Sequence, residues 1–318
     1  MSGTLHAPQI AQLDELAGEA SIPLEHDVPM APLTTLRVGG SADRLASPTT
    51  LDELLAVLRL ARDAGVSVFV LGKGSDIVVA DDGIRGLVIR NRADAIGLQG
   101  TTVTADSGSA MALLVKRCTA AGLAGLEFGI SIPGSLGGAV WANAGAHGGE
   151  MKDVATRVTV FDPGDGSVHE VEADACAFAY RESRFKHSPE IVLSAVLHLE
   201  HGDPAAIADR VREHQAQRRA TQPLADANAG SVFRNPAGDH AGRLVDAAGL
   251  KGHRIGSAQV SAVHANFIVT DPGGRAADVR ALGDQVRSVV AERFGVTLDY
   301  EIEFVGEWMA SGSQGGPS

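Results

Sequence analysis

Gly72-Lys73-Gly74-Ser75-Asp76 directly follows an apolar run, Val66 to Leu71. Glycine permits positive φ and close backbone approach, and successive amides can line a concave nest for an anion such as a pyrophosphate. The spacing is not G-x-x-x-x-G-K-S/T, and no G-x-G-x-x-G opens a helix anywhere in the chain. A P-loop nucleotidase and a Rossmann-type nicotinamide enzyme are therefore poorly supported. Read alone, the loop is equally a tight turn. A second bare stretch, Gly129 to Gly149, reads GISIPGSLGGAVWANAGAHGG. Its apolar residues Ile130, Ile132, Leu136, Val140 and Trp141, and its lack of a low-complexity repeat, argue against disorder. Chain so poor in side chains reads as a floor pressed against something flat. Together the two loops point to a diphosphate-bearing cofactor gripped between two subdomains.

Other candidates carry reactive groups. Ser231 sits among small residues in Ala229 to Pro236, where serine serves turns and caps as readily as catalysis. The run is not G-x-S-x-G, which argues against an elbow-type hydrolase. Ala179 to Lys186, AYRESRFK, packs Arg181, Arg184 and Lys186 into one short segment and reads equally as a solvated basic face. Glu301 lies on the polar side of an alternating run, where acids are mostly exposed. His198 and His201 form H-x-x-H without a third ligand at a helpful spacing, so no metal site is expected. Cys118 and Cys176 form neither C-x-x-C nor a zinc pattern, and Cys118 reads as a small buried hydrophobe.

The elements that must position these groups fill 318 residues, a length that suggests two or three domains. Apolar content of 44% is ordinary for a globular protein. A net charge of −12 argues against nucleic acid or an anionic membrane as partner. No apolar run is long enough to span a bilayer, and the N-terminal residues lack a signal-peptide pattern, so a cytoplasmic setting is expected.

In chain order, residues 1–20 read as a polar helix or tail. A first subsidiary unit spans 21–88: a strand at Thr34 to Arg44 turning on Gly39 and Gly40, a helix opened by a Thr50/Glu53 capping box and closed at Gly65, then strands around the Gly72 loop. A second spans 89–202, with a helix capped by Ser109 carrying Met111, Leu114, Val115 and Cys118. Strands follow at Val154 to Phe161, Ser167 to Val171 and Ile191 to Leu199. A third unit, 203–308, opens with a helix capped by Asp203 and started by Pro204. It continues with a short helix at Arg243 to Ala248, a strand within Val260 to Thr270, and a helix stacking Val279, Leu282, Val286 and Val290. A strand from Thr297 to Val305 ends it. There Leu298, Tyr300, Ile302 and Phe304 share one face, and Asp299, Glu301 and Glu303 the other. Residues after Gly306, and 309–318 in particular, read as a tail. Helices and strands mix without strict alternation, so the class is α+β.

Taken together, TTLRVGG at 34–40, LGKGSD at 71–76, IPGSLGGAVWANAGAHGGE at 132–150, AYRESRFK at 179–186, RRATQP at 218–223, AGSVFRNP at 229–236, the run 241–269 and the acidic strand ending at Val305 resemble the UDP-N-acetylenolpyruvoylglucosamine reductase family. The resemblance covers about residues 28–306. It implies a two-subdomain FAD-binding fold of the vanillyl-alcohol-oxidase type plus a C-terminal α+β substrate domain. It also implies non-covalent FAD, NADPH as reductant, and a nucleotide-sugar substrate that takes its turn in the same cleft. Ser231 would then be the general acid that protonates the α carbon, with Arg234 and Lys251 as contributors to its acidity. Arg181 would neutralise the substrate carboxylate, and Glu301 would hold the enol form. Gly72, Lys73, Gly74, Ser75, Asp76, Ile132, Pro133, Gly134, Ser135, Gly137, Gly138, Asn143 and Gly145 would contact the cofactor. Asn235 and Gln259 would touch the nucleotide sugar, and Arg218 and Arg219 its diphosphate.

Three positions depart from the family pattern. Ser131 and Ala179 stand where glycine is usual. Asp76 replaces a common asparagine and brings a negative charge to the proposed pyrophosphate loop. The short span between Arg181 and Arg219 leaves little room for the tyrosine-bearing loop of one subgroup, so the chain resembles the shorter one. Two other functions remain open on sequence: a flavin oxidase of the same fold, which would turn over with oxygen, and a flavin- or nucleotide-sugar-binding protein without catalysis.

Overall fold

The computed structural model describes residues 7–308. The expected tail at 309–318 lies outside the described residues, as do residues 1–6.

The first lobe is a sheet of four strands in the order Glu25–Pro29, Ser41–Ala46, Ile84–Arg90 and Val68–Leu71. The last three run parallel. Helices α1 (Ala7–Glu19) and α2 (Leu51–Asp63) contribute Leu13, Leu54 and Leu58 to a core shared with Leu87 and Ile89. The N-terminal helix is thus built into this lobe rather than trailing from it. At the start of α2, Glu53 N donates to Thr50 Oγ1 as the capping box requires. The return bond shifts one residue: Glu53 Oε2 accepts from Thr49 N at 2.7 Å. The strand expected at Thr34 to Arg44 starts only at Ser41, because Arg37 and Gly39 take positive φ (59° and 114°), which breaks an extended path. The boundary expected at 88 also moves, since the strand Ile84–Arg90 runs through it.

The second lobe is an antiparallel sheet in the order Val168–Glu172, Ala155–Phe161, Ile191–His198, Thr102–Asp106 and Ile96–Gln99. It is covered by α3 (Met111–Ala120) and α4 (Leu136–Trp141), whose Leu114, Val115, Cys118, Leu136 and Val140 meet Val158, Val160 and Leu197. Cys118 is buried, its thiol pushed up to about 11 by that burial, which fits a hydrophobe. Ser109 does not cap α3; its hydroxyl is buried with no partner, and Ala110 takes the cap position. Helix α5 (Pro204–Thr221) is capped by Asp203 as expected. It packs on the turn Glu127–Ser131 of this lobe, where Arg210 grips the buried Glu127. A division at 202 therefore cuts through packed structure, and we place the start of the third lobe after α5.

That third lobe is a small antiparallel sheet of Ala227–Asn228, Ile268–Thr270, Ala258–Val260 and Arg254–Ile255. Helices α6 (Ala241–Ala247) and α7 (Ala276–Phe294) cover it, and Val279, Leu282, Val286 and Val290 are buried there as their spacing predicts. The strand expected within Val260 to Thr270 is Ile268–Thr270; it pairs with Ala258–Val260 across a loop holding His264 and Asn266.

The last segment ties the lobes together. Its regular strand is only Glu303–Val305, which pairs in parallel with Ile77–Val79 of the first half of the chain. Just before it, Asp299 to Glu301 bonds instead to Val232–Arg234. The chain changes partners midway, so the longer expected strand is interrupted. Trp308, expected in a tail, packs edge-on against Phe304.

Candidate active site

The two glycine loops meet. A Cβ on Gly72 would collide with Ser135 Oγ, and one on Gly134 would lie 3.5 Å from Ser75 Oγ. Gly74 has φ 61°, and its carbonyl is bonded by Thr35 N at 2.9 Å. Among the described residues, the amides of Gly72 to Asp76, and those of Gly134 and Ser135, donate to no protein acceptor. Such amides, converging from two lobes at the start of α4, form a site for an anion. Gly137 sits where a Cβ would strike Ser107, so the floor stays flat. Lys73, Pro133 and Gly138 are exposed and Ile132 partly buried around this junction.

Asp76 closes the loop beside four charges. Burial pushes its carboxyl well above the usual carboxylate range, Glu301 adds to that, Lys186 opposes it, and Glu303 raises it further. That shift favours the protonated form and so works against the negative charge that the sequence puts at this loop. The Lys186 side chain is 8% exposed, its ammonium 3.2 Å from Glu303 Oε1 and 4.2 Å from the centre of the Trp141 ring.

Beyond this junction opens a cleft of about 490 Å³, lined by Ser231, Arg181 and Glu301 together with Asn235, Lys251 and His264. Arg181 projects from a tight turn in which Ala179 and Glu182 bond each other reciprocally, and its φ is 55°. Its Nε donates to Glu301 Oε1 at 2.6 Å and its Nη2 to Gly145 O at 2.9 Å. Glu301 is held by its own amide, which donates to Val232 O at 2.8 Å. That places it opposite Val232, the residue next to Ser231. Asn235 Oδ1 accepts from Ala241 N at the start of α6, which fixes its side chain at the cleft rim.

Asn143 and Gly145 both support the turn that carries Arg181. Asn143 is fully buried, and its side-chain nitrogen donates to Ala179 O at 2.7 Å and to Glu150 Oε2 at 3.0 Å. It braces the turn that carries Arg181. Gly145 offers Arg181 its carbonyl, and a Cβ there would strike Glu150. Arg218, Arg219 and Gln259 are not among the cleft's lining residues. Arg218 donates to Gln222, and burial lowers its pKa; Gln259 bonds Gly252 O and Arg254. Ser131, where glycine is usual, bonds His147 Nε2 at 2.8 Å, and that ring stacks on His214 of α5 at 3.9 Å. Sequence reasoning passed over His264 and Asn266. Their signal was polar residues, with Ser261 a third, interrupting the apolar run 260–269.

Comparison with known proteins decides the family. Residues 222–305 match the family model described as UDP-N-acetylenolpyruvoylglucosamine reductase, C-terminal domain, and residues 42–172 match the FAD binding domain model. A protein of Symbiobacterium thermophilum named UDP-N-acetylenolpyruvoylglucosamine reductase 2 is 45% identical over 280 residues, 87% of this chain and 91% of the relative. The chain belongs to the UDP-N-acetylenolpyruvoylglucosamine reductase family. The reductase of Bacillus subtilis is 39% identical over 87% of this chain and 92% of its own length. The crystal structure of the Thermus caldophilus reductase superposes with a TM-score of 0.76 at 36% identity, covering 89% of this chain and 99% of that one. Like the family, this protein is an FAD-containing oxidoreductase, and the unpartnered amides at 72–76 and 134–135, with the Cβ-intolerant Gly72, Gly74 and Gly137, suit its cofactor. Among the described residues, no helix is long and apolar enough to cross a membrane.

Proposed function

We propose that this protein reduces the enolpyruvyl ether of UDP-N-acetylglucosamine to the lactyl ether of UDP-N-acetylmuramate, with NADPH as the source of electrons, in cytoplasmic synthesis of peptidoglycan precursor. The observation that carries the reading is the convergence of Ser231, Arg181 and Glu301 on one cleft beside the paired glycine loops.

FAD, when bound, supplies the hydride that adds to the substrate's methylene carbon. The protein's own groups handle the charge and proton that follow. Arg181, fixed by Glu301 and Gly145 O, faces the carboxylate on which charge accumulates. Ser231 Oγ gives its proton to the α carbon, completing addition of one hydride and one proton across the double bond. Glu301 keeps the guanidinium in register. Lys251 and Arg243, which line the cleft, supply positive charge to the diphosphate in place of Arg218 and Arg219, while Asn235 orients the sugar nucleotide.

The test separates the half-reactions. Anaerobic enzyme is reduced by NADPH, then mixed with UDP-N-acetylglucosamine enolpyruvate while flavin absorbance is followed. Reoxidation of the flavin with formation of the lactyl ether is expected. Ser231→Ala should leave reduction by NADPH intact and slow reoxidation by about 10²–10⁴-fold, the range for a general acid. Equal slowing of both halves would remove Ser231 from the proton step.

A further inference from the structure

Asn266 lies in the loop between Ala258–Val260 and Ile268–Thr270 and is 4% exposed. It grips the residues that follow Ser231. Val232 N donates to Asn266 O at 2.8 Å, and Phe233 N donates to Asn266 Oδ1 at 3.0 Å. Asn266 Nδ2 donates back to Phe233 O at 2.8 Å. The side-chain amide therefore pairs with both polar groups of one extended residue, as a rung of sheet would. On the opposite edge, Glu301 N takes Val232 O and Arg234 N takes Asp299 O. Segment 232–234 is thus clasped between Asn266 and the chain that carries Glu301.

The grip matters because Ser231 has little other support. It follows Gly230, whose φ is 78°, a joint that offers the backbone wide freedom. A serine hydroxyl has one rotatable bond to place its oxygen, so its reach is set by the backbone at 231–232. Asparagine alone offers a donor and an acceptor side by side at this length. Aspartate would face the Phe233 carbonyl with a second acceptor, and an apolar residue would leave both groups unpaired in the interior. Asn266 is itself fixed, its N–H donating to His264 Nδ1 at 3.2 Å.

We propose that Asn266 is a positioning residue for the proton transfer, locking the Val232–Phe233 backbone so that Ser231 Oγ stays aimed into the cleft. This rests on the reading of Ser231 as the proton donor.

A double-mutant cycle on the FAD-loaded enzyme tests it, with NADPH reduction and enolpyruvyl-dependent reoxidation measured separately. Asn266→Asp should slow reoxidation about hundredfold, the loss that a misplacement near 1 Å brings. Reduction by NADPH should stay within about twofold, and the solvent isotope effect on reoxidation should rise. Placed on Ser231→Ala, the same change should cost less than about threefold, because residues acting through one another are not additive. Equal cost in both backgrounds would overturn the clamp. If Ser231→Ala alone leaves reoxidation fast, the donor assignment itself fails, which is a different result. Should Asn266→Asp not hold flavin, hydrogen exchange in the unaltered holoenzyme reads the same grip. Val232 and Phe233 amides should exchange as slowly as Val260, and exchange at the rate of the exposed Ala237 and Gly238 amides would overturn the proposal.

Discussion

Arg181 and Glu301, 120 residues apart in the chain, are joined by a 2.6 Å bond from Nε to Oε1. Burial works against the arginine's charge, but the Glu301 carboxylate outweighs it and raises the guanidinium's pKa. The fork spans two acceptors, Glu301 and Gly145 O, from a backbone in the left-handed region that only its tight turn sustains. Lysine would keep the charge but lose the fork. Arg181→Lys should therefore stay yellow and accept electrons from NADPH normally. Its reoxidation by the enolpyruvyl substrate should slow by about 10²–10³-fold, the usual loss for one fixed donor to developing charge. Stopped-flow absorbance distinguishes this from simple loss of flavin.

Gly72 and Ser135 are in contact across the two glycine loops, with no space for a methyl group between them. Gly72→Ala must push the loops apart or be absorbed as strain, which for overpacking costs about 1–3 kcal/mol. FAD affinity should fall by roughly tenfold or more, since 1.4 kcal/mol is a factor of ten. Fluorescence titration of the apoprotein measures it. Adding Ser135→Ala removes the clashing oxygen and should restore part of the affinity; no recovery would place the defect elsewhere.

Asp76 gives a pH signature. Burial, and then the neighbouring Glu301 charge, lift its folded-state pKa above that of the unfolded chain. The folded protein keeps a proton that the unfolded chain releases, so stability drains away as pH rises from about 4 towards the folded value. Asp76→Asn removes this loss. Its gain in Tm, measured with FAD at saturation, should be larger at pH 8 than at pH 4. Equal gains at both would show that the carboxyl is not protonated in the fold.

Helix α5 is pinned to the second lobe by Arg210, whose Nε lies 3.0 Å from Glu127 Oε1, while Glu127 Oε2 accepts from Gly125 N at 2.7 Å. Burial pushes the Glu127 carboxyl up, but the Arg210 bond and nearby amides win, and its pKa is lowered. A lowered carboxylate stabilises above its unfolded value and loses that stability as pH falls through the folded one. Arg210→Ala should cost about 1–3 kcal/mol at neutral pH, the penalty for stranding a buried acceptor. The cost should shrink near pH 3, as read from urea unfolding curves.

By itself the sequence determined much of this protein. Periodicity located α2 and α7, because a helix buries one stripe whatever lies beneath it. Asp203-Pro204 marked where α5 begins, and the order of motifs from TTLRVGG to AGSVFRNP carried the family resemblance together with Ser231, Arg181 and Glu301. Tertiary structure alone decided which distant groups touch. Alternation from Leu298 to Phe304 assigned faces but could not reveal that the segment bonds first to Val232–Arg234 and then to Ile77–Val79. That exchange of partners is what brings Glu301 to Arg181. The left-handed turn at Arg181, the inward use of Asn143, the absence of Arg218 and Arg219 from the cleft and the grip of Asn266 share one cause. Each depends on which residues, mostly far away in the chain, the fold brings alongside, and local residue pattern carries no record of that.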